Sequence, residues 1–385
     1  MVAVASGAVA LAAAAAMVAS SGEGDDTDDG RRGRASEPLR QEASGPRAPA
    51  SASASPSPTT SPSPSASGRT PAAGASASPA PSATAGRGGR GPAASGRLYR
   101  HPESQVADWV RANPGDERRA VIESRIAARP AAVWFADHTP ATITSRVRAV
   151  TAGAAAQGRV PVLVPYVIPE RDCGGASGGG APDLDAYDAW IDRFAAGLGS
   201  GEVIVILEPD AIAYADCLPA QRRAARFASL ARAGRVLTAA DPRARVYYDA
   251  GHSHWNGPAR QAELLRQAGA ASASSAGIFS NVSNYQRTAD EVAYARQVLA
   301  ALGGPAGLGA VVDTSRNGNG APAGGQWCDP DGRAVGRAPT LDTGEARVDA
   351  YLWVKLPGES DGCKGEAGSF SPSYAYELAR SAPSP

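Results

Sequence analysis

Acidic residues stand where strand-like segments of the sequence end. The clearest case is the segment from Val203 to Asp210, VIVILEPD, in which an apolar run stops at Glu-Pro-Asp. Pro209 disfavours helical geometry at Glu208 and cannot donate to a strand ladder, so the strand should end there and present Asp210 at its carboxyl tip. In α/β folds this is the position that holds catalytic groups. Taken alone, Asp210 could equally be the cap of a following helix.

The same arrangement recurs along the chain. The predicted strands are 131–137, 160–168, 203–209, 245–251, 277–283, 309–315 and 349–357. Their ends carry, in order, Trp134 and Asp137; Tyr166 and Asp172; Asp210; Asp249 and His252; Asn281 and Asn284; Asp313 and Arg316; and Lys355, Glu359 and Asp361. If the strands form a parallel barrel, these side chains converge on one face and line a single cleft.

Several carboxylates beside several tryptophans are the side chains that a glycosidase needs. The apolar faces of sugar rings stack on indoles, and acid–base cleavage of an acetal needs one protonated and one ionised carboxyl group. A carboxyl group can stay protonated near neutral pH when burial or a neighbouring carboxylate raises its pKa.

Other kinds of site find no support. No GxGxxG or GxxxxGK[ST] motif stands at a strand-to-helix turn, so no nucleotide is expected, and the glycine-rich stretch 174–180 is predicted to be a loop over the cleft. His252 and His254 lack HExxH spacing, so neither a metal nor another cofactor is expected. The sequence contains no GxSxG motif, which argues against a serine hydrolase of the α/β type. A formal net charge of zero gives no indication of a nucleic-acid partner.

The elements that must position these residues alternate along the chain. Amphipathic stretches such as 184–198 and 288–302 lie between predicted strands, and 103–112 and 117–128 are predicted to be opening helices. Seven strands alternating with helices indicate an α/β fold whose parallel sheet closes, or nearly closes, into a barrel. An open doubly wound sheet would satisfy the same alternation.

Composition divides the chain into three parts. Residues 1–21 hold an uncharged, alanine-rich apolar segment with a small-residue cleavage site, as in an export signal, although the positive start is missing. Its length approaches that of a membrane span, so an anchor at the outer face of the cell membrane is the alternative to secretion. Residues 22–96, rich in Ser, Pro, Ala and Gly, are predicted to be a disordered linker. Residues 97–385 have the composition of one globular domain.

The globular part contains all the cysteines of the sequence, namely Cys173, Cys217, Cys328 and Cys363. None has the CxxC spacing of a metal site. An even number of cysteines behind an export segment indicates two disulfides, for which three pairings exist.

Seven motifs together resemble one known family. They are YVIPERDCGGASGGG (166–180), VILEPD (205–210), DAGHSHW (249–255), NVSNY (281–285), DTSRNGNG (313–320), QWCDPDGRAVG (326–336) and LWVKLPGESDGC (352–363). The family is glycoside hydrolase family 6, the cellulases that comprise inverting endoglucanases and cellobiohydrolases, and the resemblance covers about 97–382. It implies a distorted seven-stranded parallel β/α barrel, similar to a TIM barrel, with a substrate cleft at the C-terminal ends of the strands. The expected partner is a β-1,4-glucan chain, such as cellulose or a cello-oligosaccharide, bound by a monomer.

The resemblance also implies roles for individual residues. Asp210 matches the general acid, and Asp172 matches a neighbouring aspartate that raises the acid's pKa and helps to relay a proton to water. Asp361 matches the residue proposed as the catalytic base, with activation of water through a chain as the alternative. Tyr166 matches a tyrosine beneath the distorted sugar, and Ser177 matches a loop serine that helps to hold the attacking water.

The remaining matches concern substrate binding and cross-links. Sugar on the non-reducing side is expected to contact Trp134, Trp327, Lys355 and Glu359, and further subsite contacts are expected from Asp249, His252, Trp255 and Asn284. Without the motifs, Trp134 and Trp327 would be interpreted as core residues, and Lys355 and Glu359 as a surface pair. By the family pattern Cys173 pairs with Cys217, and Cys328 pairs with Cys363. Asp313 and Arg316 are interpreted as a structural ion pair, and Trp109, Trp190 and Trp353 as packing residues.

The length of one segment near the C terminus distinguishes endoglucanases from cellobiohydrolases within the family. Cellobiohydrolases carry a long insertion after the residue that Asp361 matches, and this insertion roofs the cleft into a tunnel. Here only CKGEAGS separates Gly362 from Phe370. An open cleft admits the middle of a glucan chain and so predicts an endo-β-1,4-glucanase that cleaves internal bonds. The resemblance implies inversion, and the N-terminal segment indicates secretion. An exo-acting cellobiohydrolase and a non-catalytic glucan-binding surface protein are the alternatives.

Overall fold

The computed structural model describes residues 97–175 and 177–382. The signal or anchor predicted at 1–21 and the linker predicted at 22–96 lie outside the described residues. The strands are β1 (Arg97–Leu98), β2 (Val133–Phe135), β3 (Arg159–Val160), β4 (Val162–Pro165), β5 (Val203–Leu207), β6 (Ala244–Asp249), β7 (Gly277–Ser280), β8 (Gly309–Asp313) and β9 (Val348–Leu352). The α-helices are α1 (Gln105–Ala112), α2 (Arg119–Ile122), α3 (Ile143–Ala155), α4 (Leu184–Ala195), α5 (Ala220–Ala240), α6 (Pro258–Gln267), α7 (Thr288–Leu302) and α8 (Pro372–Arg380).

One parallel sheet contains the seven predicted strands in the order β2-β4-β5-β6-β7-β8-β9. The chain order and the sheet order are the same, without the reversal that a doubly wound sheet has at its switch point. The end of β9 returns to β2, where the Ala132 N–H donates to the Trp353 carbonyl at 2.9 Å. The prediction of a nearly closed barrel is therefore confirmed. The short strands β1 and β3 pair separately in parallel at its side.

Alternate residues of each strand pack into two different cores. In β5, Val203, Val205 and Leu207 belong to the core shared with the surrounding helices, whereas Ile204 and Ile206 belong to the core inside the barrel. Both faces of the strand are buried, which explains why the apolar run in the sequence is uninterrupted.

The helices cover the outside of the barrel. The carboxylate of Asp183 caps α4 by accepting the Ala186 N–H at 2.8 Å, and the apolar face of α4 then buries Trp190. Trp353 is also buried, and Trp109 packs partly buried against a third apolar cluster around α1 and α8. The interpretation of these three tryptophans as packing residues is confirmed. No helix in the described part of the chain is both long enough and apolar enough to cross a bilayer.

Candidate active site

The carboxyl ends of the barrel strands bring four predicted aspartates together. Asp210 follows β5, and it experiences the electric fields of Asp249 after β6, Asp172 after β4 and Asp361 after β9. Lys355 contributes a positive charge to the same place. These charged side chains therefore lie near one another at this end of the barrel, and their grouping in a single substrate cleft stays a prediction.

Asp210 is half-buried at the start of a turn that we call the Asp210 turn, residues 208–217. It does not begin a helix, since the Tyr214 N–H donates to the Asp210 carbonyl in a turn and a 3₁₀ segment follows at Ala215–Cys217. Burial raises the pKa of the Asp210 carboxyl well above its ordinary value, and the charges of Asp249, Asp172 and Asp361 raise it further. The side chain therefore keeps its proton at pH values where an exposed aspartate is ionised.

Asp249 supports the Asp210 turn from below. Its carboxylate is buried and accepts the backbone N–H groups of Ile212 at 3.2 Å, Ala213 at 2.8 Å and Gly251 at 2.9 Å. Burial raises the pKa of this carboxyl, although these hydrogen bonds partly offset the effect. Asp249 was expected among the substrate contacts, and its buried position suits support of the turn better than direct contact with sugar.

Asp172 lies on a loop whose described residues are 169–175 and 177–180, which we call the Asp172 loop. Its Oδ2 accepts the backbone N–H of Ser177 at 2.7 Å. A Cβ at Gly175 would lie 2.6 Å from the same oxygen, so glycine is required there for the loop to fold over the carboxylate. The loop thus holds Asp172 in place and positions Ser177 beside it.

Arg171 fastens the base of the Asp172 loop to the barrel. Its guanidinium donates to the carbonyl of Ser177 at 2.9 Å, to that of Ala136 at 2.7 Å and to that of Tyr166. It also lies 4.4 Å from the centre of the Tyr166 ring. Arg171 was not predicted to belong to the site, because it binds backbone atoms that no sequence pattern reveals.

Two disulfides tie catalytic segments to each other. Cys173–Cys217 joins the Asp172 loop to the Asp210 turn, and Cys328–Cys363 joins the segment of Trp327 to that of Asp361. Both pairings implied by the family pattern are present. Such cross-links restrain irregular segments that must hold reactive groups accurately.

Asp361 is surrounded by hydrogen-bond donors and positive charge. Its Oδ2 accepts from Arg316 Nη1 at 2.7 Å and from the Tyr285 hydroxyl at 3.2 Å, and its Oδ1 lies 3.4 Å from Lys355 Nζ. Arg316 is fully buried. These contacts engage both oxygens of the carboxylate and fix its orientation.

The interpretation of Asp313 and Arg316 as an ion pair is wrong. Asp313 ends β8, and its carboxylate accepts backbone N–H groups, including those of Ser315 at 2.8 Å and Lys355 at 3.1 Å. Arg316 instead pairs with Asp361. The spacing of three residues brings two side chains together on a helix, but here the chain leaves a strand and the two side chains diverge.

Asp329 is a further residue of the site that was not predicted from the sequence. Its buried carboxylate accepts the Ser360 hydroxyl at 2.6 Å and the backbone N–H groups of Asp361 at 2.9 Å, Cys363 at 3.1 Å and Lys364 at 3.0 Å. Burial favours the protonated form, but these hydrogen bonds outweigh it and hold the pKa of Asp329 below its ordinary value. Asp329 therefore shapes the segment that presents Asp361.

We expect Asp329→Ala to lower the free energy of unfolding by about 3 kcal/mol at pH 7, because several N–H groups lose a charged acceptor. The folded-state pKa lies below the unfolded one, so the contribution of Asp329 is present above about pH 4 and is lost as the pH falls through the folded value. Urea unfolding at pH 7 and pH 3 should show a smaller difference at pH 3. The exposed neighbour Asp331, which pairs with Lys364, provides the control Asp331→Ala, which should lower the free energy of unfolding far less. An equal difference at both pH values would contradict this role.

Aromatic side chains lie on two sides of the carboxylates. Trp134 is half-buried and stands edge-on to Tyr166 at 5.2 Å, with its indole N–H donating to the Val354 carbonyl at 2.7 Å. Trp327 is 57% exposed. Neither is a core residue, so both can offer ring surface to a sugar.

A second aromatic group surrounds Trp255. The Trp255 ring lies 5.3 Å from that of His252 and 5.5 Å from that of Tyr214, which is 42% exposed. Gly251 has φ +62° beneath this ring, where a Cβ would lie 3.1 Å from Trp255 Cε3. Burial, assisted by the charge of His254, lowers the pKa of His252 to about 4, so the imidazole is neutral near pH 7.

The remaining predicted contacts are partly buried. Glu359 Oε1 accepts from Gln105 Nε2 at 3.1 Å, and burial raises the pKa of Glu359 to about 7. Lys355 acts on Glu359 as a positive charge, but the two are not an exposed surface pair. The Asn284 side chain donates to the Val282 carbonyl at 2.9 Å. Within the described residues, no group of three or more His, Cys, Asp or Glu side chains is arranged to hold a metal ion.

Known proteins are similar to this chain in both sequence and fold. Residues 94–382 match the family described as Glycosyl hydrolases family 6. "Endoglucanase 1" from Streptomyces sp. (strain KSM-9) is 58% identical over 73% of this chain and 77% of its own length. "Endoglucanase A" from Thermobispora bispora is 49% identical over 75% of this chain and 63% of its own length. The structure of the endoglucanase Cel6 from Mycobacterium tuberculosis, in complex with methyl-cellobiosyl-4-deoxy-4-thio-β-D-cellobioside, superposes with a TM-score of 0.69 at 40% identity, over 75% of this chain and 98% of that one.

Proposed function

The chain belongs to glycosyl hydrolase family 6, and from this premise we propose that the protein is an endo-β-1,4-glucanase that cleaves internal bonds of cellulose or a related β-glucan with inversion. The observation that carries the proposal is the environment of Asp210, a carboxyl group kept protonated by burial and by three neighbouring carboxylates. The relatives named endoglucanases, one of them with a thio-linked cello-oligosaccharide bound, support a β-1,4-linked glucan as the substrate.

Asp210 is the proposed general acid. It donates its proton to the glycosidic oxygen as the bond between this oxygen and the anomeric carbon breaks, and the leaving chain departs with a new hydroxyl group. A water molecule attacks the anomeric carbon from the opposite face and loses a proton to a base, so the configuration inverts. Asp210 gives one proton to the leaving oxygen and the base takes one proton from water, so the number of protons held by the protein is unchanged.

The route of the proton from water is the second step. Both oxygens of Asp361 are already engaged, Oδ2 by Arg316 and Oδ1 by Lys355, so neither is free to hold the attacking water directly. This supports the alternative in which water is activated through a chain, with Asp172 receiving the proton and Ser177 helping to hold the water. In this scheme the Asp361 charge stabilises the positive charge that develops on the sugar ring.

The aromatic side chains are the proposed binding surfaces for sugar. Trp134 and Trp327 stack on the non-reducing side, where Lys355 and Glu359 bind hydroxyl groups, and Tyr166 lies beneath the distorted ring. Trp255 stacks on the leaving-group side, with His252 and Asn284 as hydrogen-bonding partners. Tyr214, in contact with Trp255, extends this surface toward solvent.

The segment after Asp361 supports internal cleavage. Residues 362–369 fold back on themselves, since the Gly368 N–H donates to the Ser360 carbonyl and the Ser360 N–H donates to the Ser369 carbonyl, both at 2.9 Å. This segment is therefore too compact to roof the cleft. On carboxymethylcellulose we expect the viscosity to fall before many reducing ends appear. Viscosity loss that lags behind the release of reducing ends would favour the cellobiohydrolase, and binding without hydrolysis would favour the glucan-binding surface protein.

We propose that the protein acts outside the cell. Two disulfides close to the reacting groups suit an oxidising compartment, and the predicted export segment agrees with it. Release into the medium after cleavage of 1–21 is the proposed form, with anchoring at the outer face of the membrane as the alternative.

A further inference from the structure

Helix α5 carries a buried arginine that contacts two segments of the active site. We propose that Arg226 is a positioning residue that fixes the Asp172 loop against the Asp210 turn and so sets the placement of Asp172 relative to Asp210. The inference rests on the proposed function, in which these two aspartates act together on one glycosidic bond. Arg226 touches neither of them and is not itself a catalytic residue.

The contacts of Arg226 are with backbone carbonyl groups. Its Nη2 donates to the carbonyl of Pro169 at 2.9 Å and to that of Glu170 at 3.1 Å, both at the start of the Asp172 loop. Its Nη1 donates to the carbonyl of Ala211 at 3.4 Å, directly after Asp210. One rigid, planar group thus bonds residues that lie two to three positions before Asp172 and one position after Asp210.

Arg226 is buried, so its guanidinium depends on these hydrogen bonds in place of water. The side chain is 2% exposed, and its positive charge faces the fields of Glu170 and Glu208. Removing a guanidinium from water is costly unless its donors are satisfied. A shorter polar side chain could reach the carbonyl groups of only one segment. The several N–H donors of the arginine guanidinium can bind the Asp172 loop and the Asp210 turn at once.

The two segments need such support because their backbones are strained. Non-glycine residues with positive φ number nine in the described chain, and five of them are Glu170, Asp172, Cys173, Glu208 and Asp210. These conformations cost free energy and persist only when the surrounding structure enforces them. Arg226 donates hydrogen bonds to both strained segments, the Asp172 loop and the Asp210 turn.

The disulfide Cys173–Cys217 joins the same two segments at their exposed side. Arg226 therefore acts as a second, non-covalent cross-link between them from the buried side. Because the two links restrain one arrangement, the loss of both should reduce activity by more than the product of the separate losses.

The test compares Arg226→Met with Arg232→Met. Arg232 lies on the same helix but is half-buried and bonds Asp188 and Asp192 on α4, away from the catalytic segments. Folding is followed by circular dichroism and thermal melting, and kcat, KM and the pH profile of kcat/KM are measured with a soluble cello-oligosaccharide. The second variant is Arg226→Lys, which keeps the positive charge but lacks the planar guanidinium with its several N–H donors.

We expect Arg226→Met to lower kcat about tenfold to a hundredfold through misplacement of the acid, with KM changed less than about threefold. The alkaline limb of its pH profile should move to lower pH, because Asp172 then supports the protonated form of Asp210 less. Arg226→Lys should show the same changes in smaller measure, and Arg232→Met should show neither.

A folded Arg226→Met or Arg226→Lys variant with the kcat and pH profile of Arg232→Met would overturn the proposal. If Arg226→Met does not fold, Arg226→Lys decides alone. Absence of hydrolysis by the unaltered protein would instead overturn the proposed function, so the two failures are distinguishable.

Discussion

Asp210→Asn should abolish hydrolysis while leaving the binding of cello-oligosaccharides nearly intact. Asparagine has the size of aspartate but cannot give up a proton as an acid, so we expect kcat to fall by about 10³ to 10⁴. The aromatic surfaces around Trp134, Trp255 and Trp327 are unchanged, so the dissociation constant should change less than about threefold. Turnover of cellohexaose and calorimetric titration with the same sugar provide the two measurements.

Asp216 provides a matched control for this substitution. It lies on the same turn, is exposed and pairs with Arg223 and Arg260. Asp216→Asn should retain almost full activity, since exposed ion pairs contribute little. Activity of Asp210→Asn close to that of the control would remove Asp210 from the role of acid.

Asp172→Asn is expected to shift the pH range of activity toward acid. The pKa of Asp210 is raised by burial and by its negative neighbours, among them Asp172. Removing one negative charge makes ionisation of Asp210 easier, so its pKa falls and the alkaline limb of kcat/KM moves to lower pH. If Asp172 also relays the proton from water, kcat at the new optimum should still be about 10²-fold lower.

The amide keeps an oxygen that can accept the Ser177 N–H, so the Asp172 loop should retain its shape. Asp185→Asn, at an exposed position on α4, is the control and should leave the profile unchanged. An unshifted alkaline limb in Asp172→Asn would show that Asp172 does not act on the acid.

The fold could be predicted because its strands are buried on both faces. Each of the seven produces a short apolar run with a polar end, and this signal needs no knowledge of tertiary contacts. Closure of the sheet could not be predicted from periodicity, because both a barrel and a doubly wound sheet have the same alternation. It depends on contacts such as that of Ala132 with Trp353, which are more than 200 residues apart in the chain.

The site was predictable where a residue follows a strand and carries chemistry of its own. Asp172, Asp210 and Asp361 belong to this class. Arg226 does not, because it lies within a helix, and no local pattern shows that it binds the carbonyl groups of Pro169, Glu170 and Ala211. Arg316 does follow a predicted strand, but its partner Asp361 lies 45 residues further along the chain. For Arg316, proximity to Asp313 in the sequence led to the wrong partner.

Two overlooked residues had a weak signal. Asp329 directly follows Cys328, whose expected partner Cys363 lies in the segment that Asp329 supports. Tyr214 lies between Asp210 and Cys217, within a turn already expected to be tied to the active site. A disulfide expected from a family pattern therefore marks neighbouring polar and aromatic residues as candidates for the site.

The most direct test of inverting hydrolysis is the anomeric form of the first product. Cellohexaose is incubated with the protein in an NMR tube, and the anomeric protons are recorded before mutarotation equilibrates them. We expect new reducing ends in the α configuration, formed by the unaltered protein and absent with Asp210→Asn. Initial products in the β configuration would contradict inversion, and an absence of new reducing ends would contradict the assignment of hydrolysis itself.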